Sequence, residues 1–431
     1  MPRHFLLLFL LLTQLAFTLV NAQVSSITAD FKVATAYSSH DSIFIFNQSP
    51  VAKKGSLQVT TPGSVPTSFE WSVYDSTSHT FLPVFKTETN VAVSSVSELN
   101  SGGYRIHAFR TGWDTTIVSW IFLNDFTYSV EKDNAGEVLF YRRTCEFINL
   151  QATAIPSLFK YFNTSTSTRY TLKNSVLFTW SASPANGVTL GEGAKLWIED
   201  DELPNEDTEY TGRGTDNFGL SKEDKVKYIS IIPKADFEVT YPKKYESAEG
   251  AGDGVVSAPL TVTFTNNSKN AANYNWIFGD GDTIYLKEPE NTPEPHIYTQ
   301  SDKEYHLKLI AKSKEGCSRE DTVTIKIDKS ELDAPNFFSP NGDGDNDKFV
   351  IRNVSLREFH LTIYSPSGRK VYEFHGPDIN SWEGWTGEMG GSGSKLSTGI
   401  YYYVVEAISW EQPANKYRPT KYSNFVYLFR E

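Results

Sequence analysis

The sequence predicts an all-β chain of tandem immunoglobulin-like sandwiches, and three observations predict it. An aromatic-x-Trp triplet recurs as Phe69-Glu70-Trp71, Phe178-Thr179-Trp180 and Tyr274-Asn275-Trp276. The repeats lie about a hundred residues apart, the length of one sandwich whose third strand buries a Trp in the core. Around each triplet apolar and polar residues alternate singly, the period of a strand with one buried face. The chain is 14% aromatic, with 23 Tyr and 28 Phe, and only 21% charged, a mix suited to pleated, half-buried surfaces.

The N-terminus sets the compartment. Arg3 precedes an apolar run from Phe5 to Leu12 that continues through Leu15, Phe17, Leu19 and Val20 to Asn21-Ala22. A positive start, a short apolar stretch and a small residue before Gln23 describe a signal peptide over residues 1–22. A membrane anchor is the alternative, but Thr13, Gln14 and Thr18 interrupt a run that would need ~20 apolar residues to span a bilayer. No later stretch reads as a transmembrane helix. The formal charge of −12 argues against nucleic acid and anionic membrane surfaces, both of which reward clustered Lys and Arg.

The Trp repeat then divides the chain. Residues 23–125 and 126–235 are expected to be immunoglobulin-like sandwiches, and 236–328 a third, with borders near Asp125, Ala235 and Asp328. Leu57 and Val59 lead into the first Trp, Cys145 and Phe147 into the second, and Leu260, Val262 and Phe264 into the third. Tyr104 and Tyr305 each open a late strand after a turn, as in a tyrosine corner that pins the loop through its hydroxyl. The two cysteines, Cys145 and Cys317, fall in different domains, which leaves no intradomain disulfide framework. Each is expected to be a small buried apolar residue.

The third segment reads Val262-Thr263-Phe264-Thr265-Asn266-Asn267-Ser268, then Trp276-Ile277-Phe278-Gly279-Asp280-Gly281-Asp282, then His296-Ile297-Tyr298. It resembles the PKD family of β-sandwich modules, with Ile277 where that family carries Asp. The resemblance implies a spacer or adhesive unit with Trp276, Phe278, Gly279, Asp280 and Gly281 as its motif. The glycines permit the tight turn and Asp280 can hydrogen-bond its own backbone. Reading Asp280 and Asp282 as cation ligands is the alternative, but two carboxylates are few for Ca²⁺, which takes about 6–8 oxygens.

Residues 334–431 open with Ala334-Pro335-Asn336-Phe337-Phe338-Ser339-Pro340-Asn341-Gly342-Asp343-Gly344-Asp345-Asn346-Asp347-Lys348-Phe349. Ser381-Trp382-Glu383-Gly384, the run from Gly399 through Tyr401 to Tyr403, and a last strand ending in Arg430 follow. This segment resembles the gliding motility-associated C-terminal domain, the type B sorting domain of type IX secretion. The resemblance places the motif on Pro335, Asn336, Ser339, Pro340, Asn341, Gly342, Asp343, Gly344, Asn346, Asp347, Phe349, Trp382, Gly384, Gly399 and Tyr401. It implies passage across the outer membrane, peripheral residence there, and partners among type IX secretion components and outer-membrane proteins of the PorP/SprF kind. The family's Asn-Arg-Trp-Gly hairpin is replaced by Ser365-Pro366-Ser367-Gly368.

Asp343, Asp345 and Asp347 are the candidate metal ligands. The run is not an EF-hand, because the twelfth position from Asp343 is Val354 and not Glu. A rigid glycine turn is expected there, with no cofactor, and Ca²⁺ is the alternative. No His-Glu-x-x-His, Gly-x-Ser-x-Gly or phosphate-cradling loop is present, and the sandwiches leave no separate catalytic domain. The expectation is a non-enzymatic, protein-binding surface component. The alternative is an adhesin or glycan-binding protein stacking sugars on Trp113, Trp120 or Trp197.

Overall fold

The computed structural model describes residues 22–185, 190–245, 254–376, 382–411 and 419–430. The expected signal peptide, apart from Ala22, lies outside them, as does Ser381. The architecture is all-β, a tandem series of sandwiches whose strands pair mostly antiparallel. Among the described residues no helix is long and apolar enough to cross a membrane.

The first sandwich faces a three-stranded sheet (Gln23–Ser25, Gly55–Thr60, Val93–Leu99) with a larger one. The larger sheet runs Phe31–Ala34, Ser42–Asn47, Trp113–Asn124, Gly102–Arg110, Thr67–Asp75 and Thr80–Phe81, with Lys86–Val91 also on Thr67–Asp75. Phe69 and Trp71 point inward together and are fully buried with Leu57, Val59, Ile106 and Ala108. Trp71 Nε1 donates to Ser94 Oγ at 2.8 Å, which satisfies the one polar atom that the buried ring carries. Tyr104 donates its hydroxyl to Asn100 O at 2.9 Å, four residues upstream, the geometry of a tyrosine corner.

The chain divides into two compact units, Met1–Ile229 and Ser230–Glu431. Within the first unit, the two sandwiches are not separate cores. The large sheet of the first buries its second face too: Ile43, Ile45, Trp120 and Phe122 pack against Phe159, Tyr161, Phe162 and Phe218 of the second. Trp120 sits among Tyr74, Phe159, Tyr161 and Phe162, with ring centroids 5.6 to 6.4 Å apart, and donates to Tyr37 Oη at 3.0 Å. Burial raises the Tyr37 hydroxyl to about 12, because a phenolate would be poorly solvated there.

A polar knot closes the same junction. Asp216, 5% exposed, accepts Asn124 Nδ2 at 2.6 Å and Asn174 Nδ2 at 3.0 Å on one oxygen. Its other oxygen accepts the amides of Phe218 and Leu220, both at 2.9 Å. Asn124 also donates to Asn47, and Asn47 to Phe218 O. Side chains at the ends of three strands thus cross the expected border at Asp125 and tie the two sandwiches together.

In the second unit, the third sandwich pairs Phe237–Thr240, Leu260–Asn266 and His296–Tyr298 across from Thr283–Lys287, Asn273–Ile277, Lys303–Lys312 and Ser318–Ile327. Tyr274 and Trp276 lie in its core, and Tyr305 donates to Gln300 O at 3.3 Å. Lys234 exchanges backbone hydrogen bonds with Lys269, and Asn270 Nδ2 caps Ser230 O and Ile232 O. The residues before the expected border at Ala235 therefore belong to the third sandwich, because their backbone partners are there.

The last domain carries a five-stranded sheet ordered Phe337–Phe338, Thr420–Leu428, Gly399–Ser409, Leu356–Tyr364 and Lys370–Gly376, plus the pair Glu331–Asp333 with Arg352–Val354. It shares a buried junction with the third sandwich. Ser355, fully buried, accepts the Ala258 amide on Oγ, donates that hydroxyl to Asp328 O, and donates its own amide to Ser257 Oγ. Tyr245 Oη both accepts from Asn353 N and donates to Asn353 O.

Neither cysteine is a free thiol; both are disulfide-bonded. Cys317 is buried, 1% exposed, as expected of it, but neither sulfur is the free thiol that the expectation of small apolar residues implied.

Candidate functional site

The opening motif of the last domain folds on itself. Ser339 N donates to Asn346 O and Asn341 N to Ser339 O. Asp347 accepts the amides of Gly342 at 2.6 Å and Gly344 at 2.9 Å, one on each oxygen. Asp343 accepts Asn341 Nδ2 and the Asp345 amide, and these two hydrogen bonds hold its carboxyl below the usual range. Gly342 and Gly344 take positive φ, which lets these amides turn toward the carboxylates. The candidate ligands Asp343, Asp345 and Asp347 are not brought to a common centre: the carboxylates of Asp343 and Asp347 are committed to amides of their own loop.

The motif's remaining residues seat the loop on the sheet. Pro335 and Asn336 lead in, and Asn336 O accepts the Tyr427 amide at 2.8 Å. Pro340 sits at the bend, and Phe349 is fully buried beyond it. Trp382 packs 5.5 Å from Phe359 and donates to Tyr372 Oη. Gly384, at φ +99°, has Val350 Cγ2 2.9 Å from where a Cβ would stand. Gly399 opens the strand on which Tyr401 makes a further corner, donating to Ser397 O at 2.9 Å. The sequence reading missed Trp385, which is 1% exposed and exchanges backbone hydrogen bonds with Phe349. Its spacing three residues after Trp382 carries no strand period, so only the fold reveals it.

Among the described residues, one group offers three ligand atoms within 4.8 Å of each other: Asp280, Asp282 and His296. His296 lies flat on Phe278 at 4.1 Å, and its Nε2 pairs with Asp280 Oδ2 at 2.7 Å. Asp280 Oδ1 accepts the Asp282 amide. Burial works against the charge on Asp280, yet these bonds outweigh it and hold the carboxyl below its ordinary value. The arrangement is a clasp on the turn after Trp276, and His296 was not paired with it from sequence because sixteen residues separate them.

Gly279 completes the clasp. At φ +85°, its absent Cβ would lie 2.7 Å from His306 O and 2.8 Å from His306 N. Gly279→Ala is expected to cost more than the ~1–2 kcal/mol of a left-handed L-residue, because backbone atoms cannot yield to the methyl. Thermal unfolding of the purified chain checks this, with Gly281→Ala as control, where nothing lies within 4 Å of the added carbon.

Of the three candidate stacking residues, Trp120 is in the core, so its role in sugar stacking is corrected. Trp113 packs partly against the first core and under Arg110. Trp197 is 52% exposed, tilted 5.2 Å from Phe147.

Comparison with known proteins adds one family. Residues 332–428 match the CHU_C type IX secretion signal domain. No curated relative matches the chain. Among solved structures, a tetra-tandem repeat from the extending region of a large adhesion protein is similar at 13% identity, covering 90% of this chain and 99% of that one, with a TM-score of 0.25. Fibronectin(III)-like modules of Clostridium thermocellum CbhA match at 13% identity over 48% of this chain and 93% of theirs, TM-score 0.24. Three immunoglobulin domains of titin match at 12%, over 67% and 95%, TM-score 0.31. At these scores the fold class stands on this chain's own strand pairing. A C-terminal type IX secretion signal domain marks an exported chain that engages the type IX machinery.

Proposed function

We propose that this protein is a non-catalytic component of the cell surface, exported by type IX secretion and held at the outer membrane by its C-terminal domain on a β-barrel protein of the PorP/SprF kind. In this reading the third, PKD-like sandwich is the spacer next to the anchor, and the first two sandwiches are presented to another component of the surface or secretion apparatus. No cofactor takes part. The observation that carries the reading is the secretion signal domain at residues 332–428, which here is not a loose tag: Ser355 and Asn353 bind it to the third sandwich.

Deleting the residues after Asp333 is expected to abolish outer-membrane association. The measurement is surface labelling of native cells, with a crosslinked pull-down of the intact chain. Unchanged association of the deleted form would overturn the reading. A second reading, an adhesin that stacks sugar on Trp197, rests on the exposure of that ring beside the half-buried Phe147. Recovery of the chain only in released, glycan-bound form would favour it.

A further inference from the structure

The two edges of the five-stranded sheet in the last domain are built differently. At one edge, the strand Lys370–Gly376 carries Lys370, Glu373 and His375 on exposed positions. Lys370 and His360 both pair with Glu373, and the Gly390 amide donates to Val371 O across that edge. Charges and a covering loop are the usual devices that stop a sheet edge from pairing further.

The other edge has one charged pair, Lys421 with Glu406, and among the described residues no loop is bonded across it from Thr420 to Phe425. Among the described residues, the strand Thr420–Leu428 is paired on its outer side only by Phe337 and Phe338, which run parallel to Tyr427 and Leu428. From Thr420 to Phe425 every residue is exposed, and no described strand lies outside them. The direction of the backbone follows from the bonds at its end. Tyr427 N donates outward to Asn336 O and Phe429 N to Phe338 O. Alternation then turns the amides of Phe425, Ser423 and Lys421 outward as well, that of Phe425 being held by the exposed Asn424 Oδ1 at 2.9 Å, while those of the even-numbered residues face the neighbouring strand.

The face beside this edge is aromatic. Register places Ile400 opposite Tyr427 and Tyr402 opposite Phe425, and Phe337 beside Tyr427. Phe337, Ile400, Tyr402, Phe425 and Tyr427 are 39 to 51% exposed. Charge on the same face lies in ion pairs, Lys421 with Glu406 at 2.8 Å and, toward the opposite edge, Lys370 with Glu373 at 2.6 Å. A face whose lysines are already paired with carboxylates offers anionic lipid headgroups no spare cation, whereas outward amides and carbonyls flanked by aromatic side chains match an extended peptide.

We infer that the strand Thr420–Leu428 is a strand-addition site, and that an extended apolar segment of the outer-membrane partner pairs with its outer edge from Lys421 to Phe425, its side chains lying on Tyr402 and Phe425. The inference rests on the proposed anchoring of this domain and names the surface that performs it. Backbone pairing supplies the affinity and the aromatic face the selectivity, as in other sheet-edge recognition.

The test uses the full chain in its native cells, with a photo-crosslinking residue at position 421. Ser423→Pro removes one outward amide and leaves the ladder to the inner neighbour intact, since Pro is tolerated where its nitrogen faces away from the sheet. The expected result is a crosslink from position 421 to the outer-membrane partner that Ser423→Pro weakens about tenfold, the equivalent of one to two strand hydrogen bonds, with an unchanged melting temperature. Phe425→Lys, which places a charge on the exposed face, is expected to weaken it likewise and keeps the test valid if the proline lowers stability. Native crosslinking and surface display in both variants would overturn the inference, as would a crosslink to a second copy of the chain. Binding of the full chain to protein-free phosphatidylethanolamine vesicles through this face would also overturn it. If deletion after Asp333 abolishes anchoring while both variants anchor normally, the strand-addition site fails and the anchoring reading stands. If the deleted chain still anchors, the anchoring reading itself fails.

Discussion

Trp120→Ala is expected to destabilise the first unit by about 3–5 kcal/mol, the range for removing a large buried aromatic side chain. The ring belongs to two sandwiches at once. It touches Tyr74 of its own sheet and Phe159, Tyr161 and Phe162 of the next, and it lies over Gly103, where a Cβ would be 2.8 Å from it. Removing it opens a cavity at the junction and leaves the Tyr37 hydroxyl without its donor. Denaturant unfolding of the purified chain, followed by tryptophan fluorescence and by circular dichroism, measures the loss. A change under 1 kcal/mol would mean that the second face of the large sheet contributes little. The same contacts predict that residues 23–125 expressed alone leave Ile43, Ile45, Trp120 and Phe122 uncovered and aggregate, whereas residues 23–229 fold as one cooperative unit.

Asp216→Ala is expected to cost about 3 kcal/mol or more, because it strands buried donors and does not merely delete a bond. Four donors converge on this carboxylate: the side-chain amides of Asn124 and Asn174 and the backbone amides of Phe218 and Leu220. Asp216→Asn keeps acceptor oxygen for some of them and is expected to cost less. Hydrogen exchange offers a local readout, in which the Phe218 and Leu220 amides lose protection first in the alanine variant. Equal stability of the alanine and asparagine variants would show that the knot is solvated and not buried.

Both sites bear on how the chain is organised. A string of independent sandwiches would tolerate damage at a border, since few contacts cross a linker. Here buried hydrogen bonds cross the borders at Asp125 and Asp328. Asn124 and Ser355, both fully buried, sit beside them.

What the sequence determined by itself is everything that depends on short-range pattern. The aromatic-x-Trp triplets mark core strands because two residues two apart share a face, whatever the rest of the chain does. Tyr104 and Tyr305 mark corners because their partners lie four or five residues upstream. The long glycine and aspartate motif marks a self-capped turn because its donors and acceptors lie within seven residues of each other. Even the double burial of the large sheet left a trace: Ile43-Phe44-Ile45-Phe46 and Trp120-Ile121-Phe122-Leu123 are unbroken apolar runs, the signature of strands covered on both faces.

Only the tertiary structure decided which surfaces cover those runs. Phe159, Tyr161 and Phe162 could have faced solvent by pattern alone, and Asp216 looks like any strand-end carboxylate until Asn124 and Asn174 arrive from elsewhere in the chain. The clasp of Asp280 by His296, the burial of Trp385 and the open edge of Thr420–Leu428 are equally invisible in sequence. Each depends on partners that folding brings near, or fails to bring near, from distant positions. A one-dimensional period records which side of a strand is apolar, and it carries no record of what is packed against it.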